Sequence, residues 1–146
     1  MAVLKRTPCV GICSTTYGDL VCRGCKRFAH EIIAWNGFDE DQRERVWQRL
    51  YNLRDGAVAC HLQVVDEQVL LNLAEELRVL DRADLTVETL AFEVLRRCAR
   101  RGQPLQSMGL TSERRLSPEA LLEVIEQEYF KRSMARYEHD FRTLAK

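Results

Sequence analysis

Residues 9–25 read CVGICSTTYGDLVCRGC, from Cys9 to Cys25. Four of the six cysteines fall within these seventeen residues; only Cys60 and Cys98 lie elsewhere. The spacing is C-x3-C, eight residues, then C-x2-C. A tetrahedral thiolate site needs two pairs of sulfurs, each pair short enough to grip one ion from a single turn, and structural zinc sites place two to four residues between paired ligands. Both pairs comply, which makes Cys9, Cys13, Cys22 and Cys25 one candidate ligand set. Gly24 lets the second turn bend so that its amides point at the thiolates, and Gly11 can serve the first pair likewise. Four thiolates around a divalent ion leave a net charge of −2, and Lys5, Arg6, Arg23, Lys26 and Arg27 surround them. Nearby cations favour the deprotonated sulfur.

Working outward, the first 27 residues carry too few large apolar side chains to fold alone. A structural zinc contributes roughly 10–16 kcal/mol of apparent folding free energy, so the ion would be the core of this head. Two disulfides are the alternative. No apolar run follows the opening Met-Ala-Val-Leu-Lys-Arg and no stretch reaches the ~20 apolar residues that span a bilayer. A cytoplasmic chain without a membrane segment is therefore expected, where thiols stay reduced. Cys22-Arg23-Gly24-Cys25 as a redox pair would want a βαβ setting, which the sequence does not offer. Tetrahedral sulfur coordination suits zinc and iron–sulfur centres alike. The pair–loop–pair spacing leans slightly to zinc, because cluster motifs commonly place three cysteines close together; the iron–sulfur alternative stays open.

The rest of the 146 residues reads as helix. Thr15, Thr16 and Tyr17 before Gly18-Asp19, with Leu20 and Val21 after, predict a short β-hairpin turning at Gly-Asp. Ala29, Ile32, Ile33 and Trp35 then predict a short helix ending at Asn36-Gly37. Asp39 with Gln42 forms a capping box, and Val46, Leu50 and Leu53 mark a helix that Gly56 is expected to stop. Residues 57–65 are ambiguous between helix and strand. Residues 66–80 read as helix, with Val69, Leu70, Leu73 and Leu77 inward. In 86–101, Val87, Leu90, Ala91, Val94, Leu95, Cys98 and Ala99 repeat at i, i+3, i+4, i+7, and Gly102 supplies the stop. Ser117-Pro118-Glu119 opens a last helix running past Tyr137, by cap, first-turn proline and dipole. Leu121, Ile125, Tyr129, Phe130 and Tyr137 on it fit packing within the chain or across a dimer. The expected fold is mostly α, a cysteine-rich metal-binding head with a short β-hairpin followed by a bundle of four to five helices. The division is residues 1–56, a four-cysteine module with a helical hairpin, and 57–146, a helical part of unrecognised type.

The segment Thr7-Pro8-Cys9-Val10-Gly11-Ile12-Cys13, then Cys22-Arg23-Gly24-Cys25-Lys26-Arg27, Glu31-Ile32 and Trp35, with Arg43 and Leu50 beyond, resembles the short bacterial family called domain of unknown function 1289. The resemblance covers residues 7–50, and proline, glycines, cysteines and tryptophan match in order. That family is commonly labelled a predicted iron–sulfur protein. The resemblance implies a metal site at Cys9, Cys13, Cys22 and Cys25 and no particular reaction; the chain departs from the family's short form after Gly56.

Other residues carry weaker signals. Cys60-His61 gives at most two ligands with no partner pair, so a part-buried structural role is expected. Cys98 reads as core, and His30 and His139 as surface. Trp35 and Trp47 sit at helical spacing from Ile32 and Val46 and read as core rather than as a stacking platform for bases. The net charge is zero, yet residues 60–95 hold eight acids and two bases, while 96–115 hold six arginines against Glu113 alone. Arg96, Arg97, Arg100, Arg101, Arg114 and Arg115 complement a helix dipole or form an anion- or partner-binding patch for protein or nucleic acid. No phosphate loop, nucleophile elbow or H-E-x-x-H motif is present, and four thiolates would leave no open position for water. The expected function is that of a non-catalytic, four-cysteine metal-binding interaction or regulatory module, with an iron–sulfur redox or sensor protein as the alternative.

Overall fold

The structure, a computed structural model, describes residues 8–9, 13–79 and 86–142. The chain is mostly helical, as its periodicity predicts. Among the described residues the α-helices are α1 (Ala29–Ala34), α2 (Glu40–His61), α3 (Glu67–Glu76), α4 (Val87–Cys98) and α5 (Pro118–Tyr137). Two short strands, β1 (Gln63–Val64) and β2 (Leu110–Thr111), pair antiparallel, Gln63 opposite Thr111 and Val64 opposite Leu110. The chain divides into two compact units.

One unit holds Arg54–Glu128. Its clearest element is α4, which begins where Thr86 Oγ1 accepts the Thr89 N–H at 3.1 Å and ends in a single 3-10 turn closed by Gly102 at φ 67°. Both ends and the buried stripe Leu90, Ala91, Val94, Leu95 and Cys98 follow the sequence reading. Phe92 and Thr89 are buried as well, which widens that face beyond the expected set. Asp55, near the end of α2, accepts the hydroxyls of Thr86 (2.6 Å) and Thr89 (2.7 Å) and so ties the two helices. Helix α3 packs on α4 through the fully buried Leu70 and Ala74; Val69, Leu73 and Leu77 are half-buried. It stops at Glu76, short of the expected residue 80, because Arg78 takes a left-handed φ of 58° and Val79 N–H turns back to the Ala74 carbonyl.

Gly109 fixes how β2 meets the start of α3. Its φ is +74°, and its carbonyl accepts the N–H groups of Val65 (2.9 Å) and Asp66 (3.1 Å). A Cβ at Gly109 would collide with the Asp66 carbonyl. Gly109→Ala therefore combines a left-handed conformation unfavourable to L-residues with a backbone clash; a loss of about 1–3 kcal/mol is expected in urea denaturation.

The other unit consists of the described parts of Lys5–Leu53 and Tyr129–Lys146. The hairpin expected at Gly18-Asp19 is displaced. Ser14–Tyr17 form a 3-10 turn ended by Gly18 at φ 96°, and the antiparallel bridge joins Val21 to Phe28 instead. The loop inside that bridge is the second cysteine pair. Phe28 leads into α1, Trp35–Gly37 form a 3-10 turn, and the capping box at α2 has both its bonds, Asp39 N to Gln42 Oε1 (2.9 Å) and Gln42 N to Asp39 Oδ1 (2.8 Å). Trp35, Val46, Trp47 and Leu50 form a buried cluster with Phe38 and Tyr51 against it. Both tryptophans are core side chains.

Helix α2 does not stop at Gly56 but continues to His61. A glycine inside a helix costs only about 1 kcal/mol relative to alanine. Ala57 and Val58, immediately after it, are fully buried, and their packing offsets that cost. This also resolves residues 57–65: helix to His61, then β1.

Candidate metal centre

The centre is built on a tight turn. Cys22 N–H donates to the Arg27 carbonyl (2.9 Å), Lys26 N–H to the Cys22 carbonyl (2.8 Å) and Ala29 N–H to the Leu20 carbonyl (2.8 Å). These bonds continue the Val21–Phe28 bridge into the loop. The residue that bends the backbone into the left-handed region is Lys26, at φ 67°, rather than Gly24. What Gly24 contributes is its amide.

That amide and two others converge on one sulfur. The backbone N–H groups of Cys25, Ser14 and Gly24 all donate to the Cys22 thiol, and the Cys25 thiol lies in hydrogen-bond contact with it. Burial acts to raise the Cys22 pKa, but the three amides outweigh it and lower the value to about 7. A buried sulfur with three N–H donors is held as a thiolate would be. Cys25 behaves differently: burial pushes its thiol up, against the nearby Arg27 guanidinium.

Arg27 and Lys26 are themselves buried, 4% and 3% exposed. Arg27 Nε donates to Cys25 Sγ at 3.3 Å, and its guanidinium lies 4.8 Å from the Trp35 ring centroid. A buried cation needs compensating partners, and for Arg27 these include the Cys25 sulfur and the face of Trp35.

The far side of the turn is fixed by Glu31. Its carboxylate accepts the Phe28 N–H at 2.8 Å and both terminal nitrogens of Arg49 at 2.5 and 2.6 Å. The Arg49 guanidinium stacks 4.0 Å over the Phe28 ring.

The first cysteine pair is placed less closely. Cys9 is exposed and Cys13 half-buried, and Cys13 Sγ lies 2.8 Å from Thr15 Oγ1. Residues 10–12 between them, Gly11 included, lie outside the described residues. Ser14 provides the link to the second pair: its amide reaches the Cys22 thiol, and its hydroxyl accepts the Arg23 N–H at 2.8 Å. The structure thus brings Cys22 and Cys25 together and anchors the residue next to Cys13 beside them. No group of three or more His, Cys, Asp or Glu side chains is gathered as a ligand set among the described residues. None of the six cysteines forms a disulfide.

The other candidate residues are scattered in role. Cys98 is buried in α4, and burial raises its thiol pKa. Cys60 is exposed rather than part-buried, and His61 is half-buried; both line a recess of about 200 Å³ with Gln63, Ser112, Glu113 and Arg114. Of the six arginines, Arg96 and Arg97 turn to Glu93, at 2.7 and 2.5 Å, which Arg54 also meets at 3.3 Å. Arg100, Arg101, Arg114 and Arg115 are exposed. Arg27 stands beside the cysteines as the sequence reading placed it, but its burial and the Glu31–Arg49 pair were not legible, because a basic residue two positions after a cysteine reads equally as solvated.

A small, mostly helical chain with a cysteine turn at its head is the class that the fold defines. Residues 7–54 match the family described as Protein of unknown function (DUF1289), so the resemblance read from Thr7 to Leu50 holds for that segment. No curated protein and no solved structure matches the chain.

Proposed function

We propose that the head binds one metal centre through Cys9, Cys13, Cys22 and Cys25, and that the protein is a non-catalytic interaction or regulatory module shaped by that centre. The observation that carries the reading is the Cys22–Arg27 turn: three amides on one buried thiol and a buried arginine on its neighbour. Such an arrangement stabilises negative sulfur, and four thiolates on a divalent ion keep a charge of −2 that Arg27 and Lys26 would offset. Cys22 and Cys25 would hold the group from the preformed turn; Cys9 and Cys13 would complete the set from the segment that Ser14 ties to it. A zinc ion would supply shape only, whereas an iron–sulfur cluster would supply electron transfer. The four exposed arginines are the surface proposed for an anionic protein or nucleic-acid partner.

The test is elemental analysis and an absorption spectrum of protein purified without air. One zinc per chain and no colour supports the structural-zinc reading. Iron, sulfide and absorption near ~400 nm would favour the redox or sensor alternative, and no bound metal at all would remove both.

Arg27 offers a finer check. Arg27→Met removes the donor to Cys25 and the buried charge while keeping length and apolar contact with Trp35. Partners that orient metal ligands typically matter by about 10–100-fold in affinity. A fall of that size is expected in competition with a chromophoric chelator, with partial recovery in Arg27→Lys.

A further inference from the structure

The turn that carries Cys22 and Cys25 is not packed on the helices next to it in sequence alone. Three of its side chains reach the last stretch of the chain, more than a hundred residues away. The Arg23 guanidinium lies 4.8 Å from the Phe130 ring centroid, and the Lys26 ammonium lies 4.9 Å from that of Tyr129. Phe28, which closes the turn by bridging to Val21, meets Tyr137 edge-on at 5.1 Å and Phe141 edge-on at 5.6 Å. Phe141 also contacts the ring of His30 on α1 at 5.2 Å. Beyond Tyr137 the helix loosens into a π-helical turn, Glu138–Arg142, and Phe141 remains 43% exposed. The turn is tied back to α5 by Asp140, which accepts the Arg136 Nε–H at 3.0 Å, and to the cysteine turn by the Phe141 ring.

The geometry points to a metal-linked clamp: residues 129–142 are held in place by the loaded cysteine turn and are released when the turn loses its metal. The inference rests on the metal reading above and adds its regulatory readout. The physical link is Phe28. Without a centre, the turn depends on the Val21–Phe28 bridge and a few backbone bonds. Opening the bridge displaces Phe28, and Tyr137 and Phe141 lose the ring on which both rest. Release of 129–142 would bare Tyr137 and Phe130 and the rest of Phe141, rings that are partly covered in the structure. By linkage the coupling runs both ways. The C-terminal turn must therefore strengthen metal binding although it contributes no ligand.

The probe is Zn²⁺, which accepts four thiolates tetrahedrally. Hydrogen exchange of the full chain is compared between zinc-loaded and chelator-stripped protein under reducing conditions, with α4 as internal reference. Exchange in 129–142 is expected to rise at least tenfold on stripping while α4 is unchanged. Phe141→Ala, at a position 43% exposed, is expected to lower zinc affinity at least fivefold, with one equivalent still bound at saturation. Zinc bound, but with exchange in 129–142 indifferent to it and Phe141→Ala affinity unaltered, overturns the clamp alone. Failure of the wild-type chain to bind zinc or iron removes the clamp together with the metal reading, so the two failures are distinct.

Discussion

On the proposed metal reading, Cys22→Ser is expected to lose the metal and, with it, the folded head. The Cys22 sulfur is the best prepared of the four candidate ligands, buried and facing the amides of Cys25, Ser14 and Gly24. A serine oxygen is harder, shorter and far less acidic, so the same amides would meet a neutral hydroxyl. A structural zinc site can contribute about 10–16 kcal/mol of apparent folding free energy, more than most small domains retain in total. Elemental analysis should give well under one metal per chain. Fluorescence of the buried Trp35, against which Arg27 stacks, should shift towards that of a solvated indole. Cys60→Ser, at an exposed position in the other unit, should keep both metal and fluorescence. A Cys22→Ser protein that still holds a full equivalent would place the centre elsewhere.

The second large effect concerns Glu93. Burial acts to raise its pKa, but the charges of Arg54 and Arg96 and the hydrogen bonds from Arg97 and Arg96 lower it below the usual carboxylate range. A depressed pKa means that its contribution to stability is fully present above the ordinary carboxylate value. The contribution is lost as pH falls through the folded value. Arg54 and Glu93 are 13% and 14% exposed, while Arg96 and Arg97 are 42% and 34% exposed and largely screened. Glu93→Gln therefore removes the main charge opposite the buried Arg54. Breaking a buried pair by one partner costs about 3–5 kcal/mol, and the half-open surroundings place this case at the lower end. Urea denaturation at neutral pH should show that loss, and the gap to the wild type should close as pH falls below the carboxylate range. A gap independent of pH would mean that packing, not charge, is responsible. The same variant bears on the arginine surface, because Arg96 and Arg97 are held inward by Glu93 and only four of the six arginines stand free of it.

Legibility in the sequence followed the range of the interactions. Helix α4 and the start of α5 were readable because their end signals and apolar repeats are local: Gly102 and Ser117 act on neighbours, the Ser117 hydroxyl accepting the Ala120 N–H at 3.1 Å. The capping box of Asp39 and Gln42 was readable for the same reason. Gly56 misled because the local signal for a helix stop was overridden by burial of Ala57 and Val58, a tertiary effect. The pairing of Val64 with Leu110 spans some forty-five residues and leaves no local trace. In the head, the cysteine spacing gave the candidate ligands directly. It could not place the turn, because Lys26 rather than a glycine adopts the left-handed conformation. Nor could it show that Tyr129, Phe130, Tyr137 and Phe141 belong beside the cysteines, since only folding brings position 141 to position 28.

The unbroken run of α2 from Glu40 to His61 has a practical meaning for anyone wishing to isolate the segment that matches the known family. That match ends at residue 54, in mid-helix. Excision there would remove the last turns of α2 and would discard the aromatic residues after 128 that rest on the turn. The family segment is thus not a detachable cassette in this chain, and a fragment spanning it alone should aggregate or misfold even when supplied with metal.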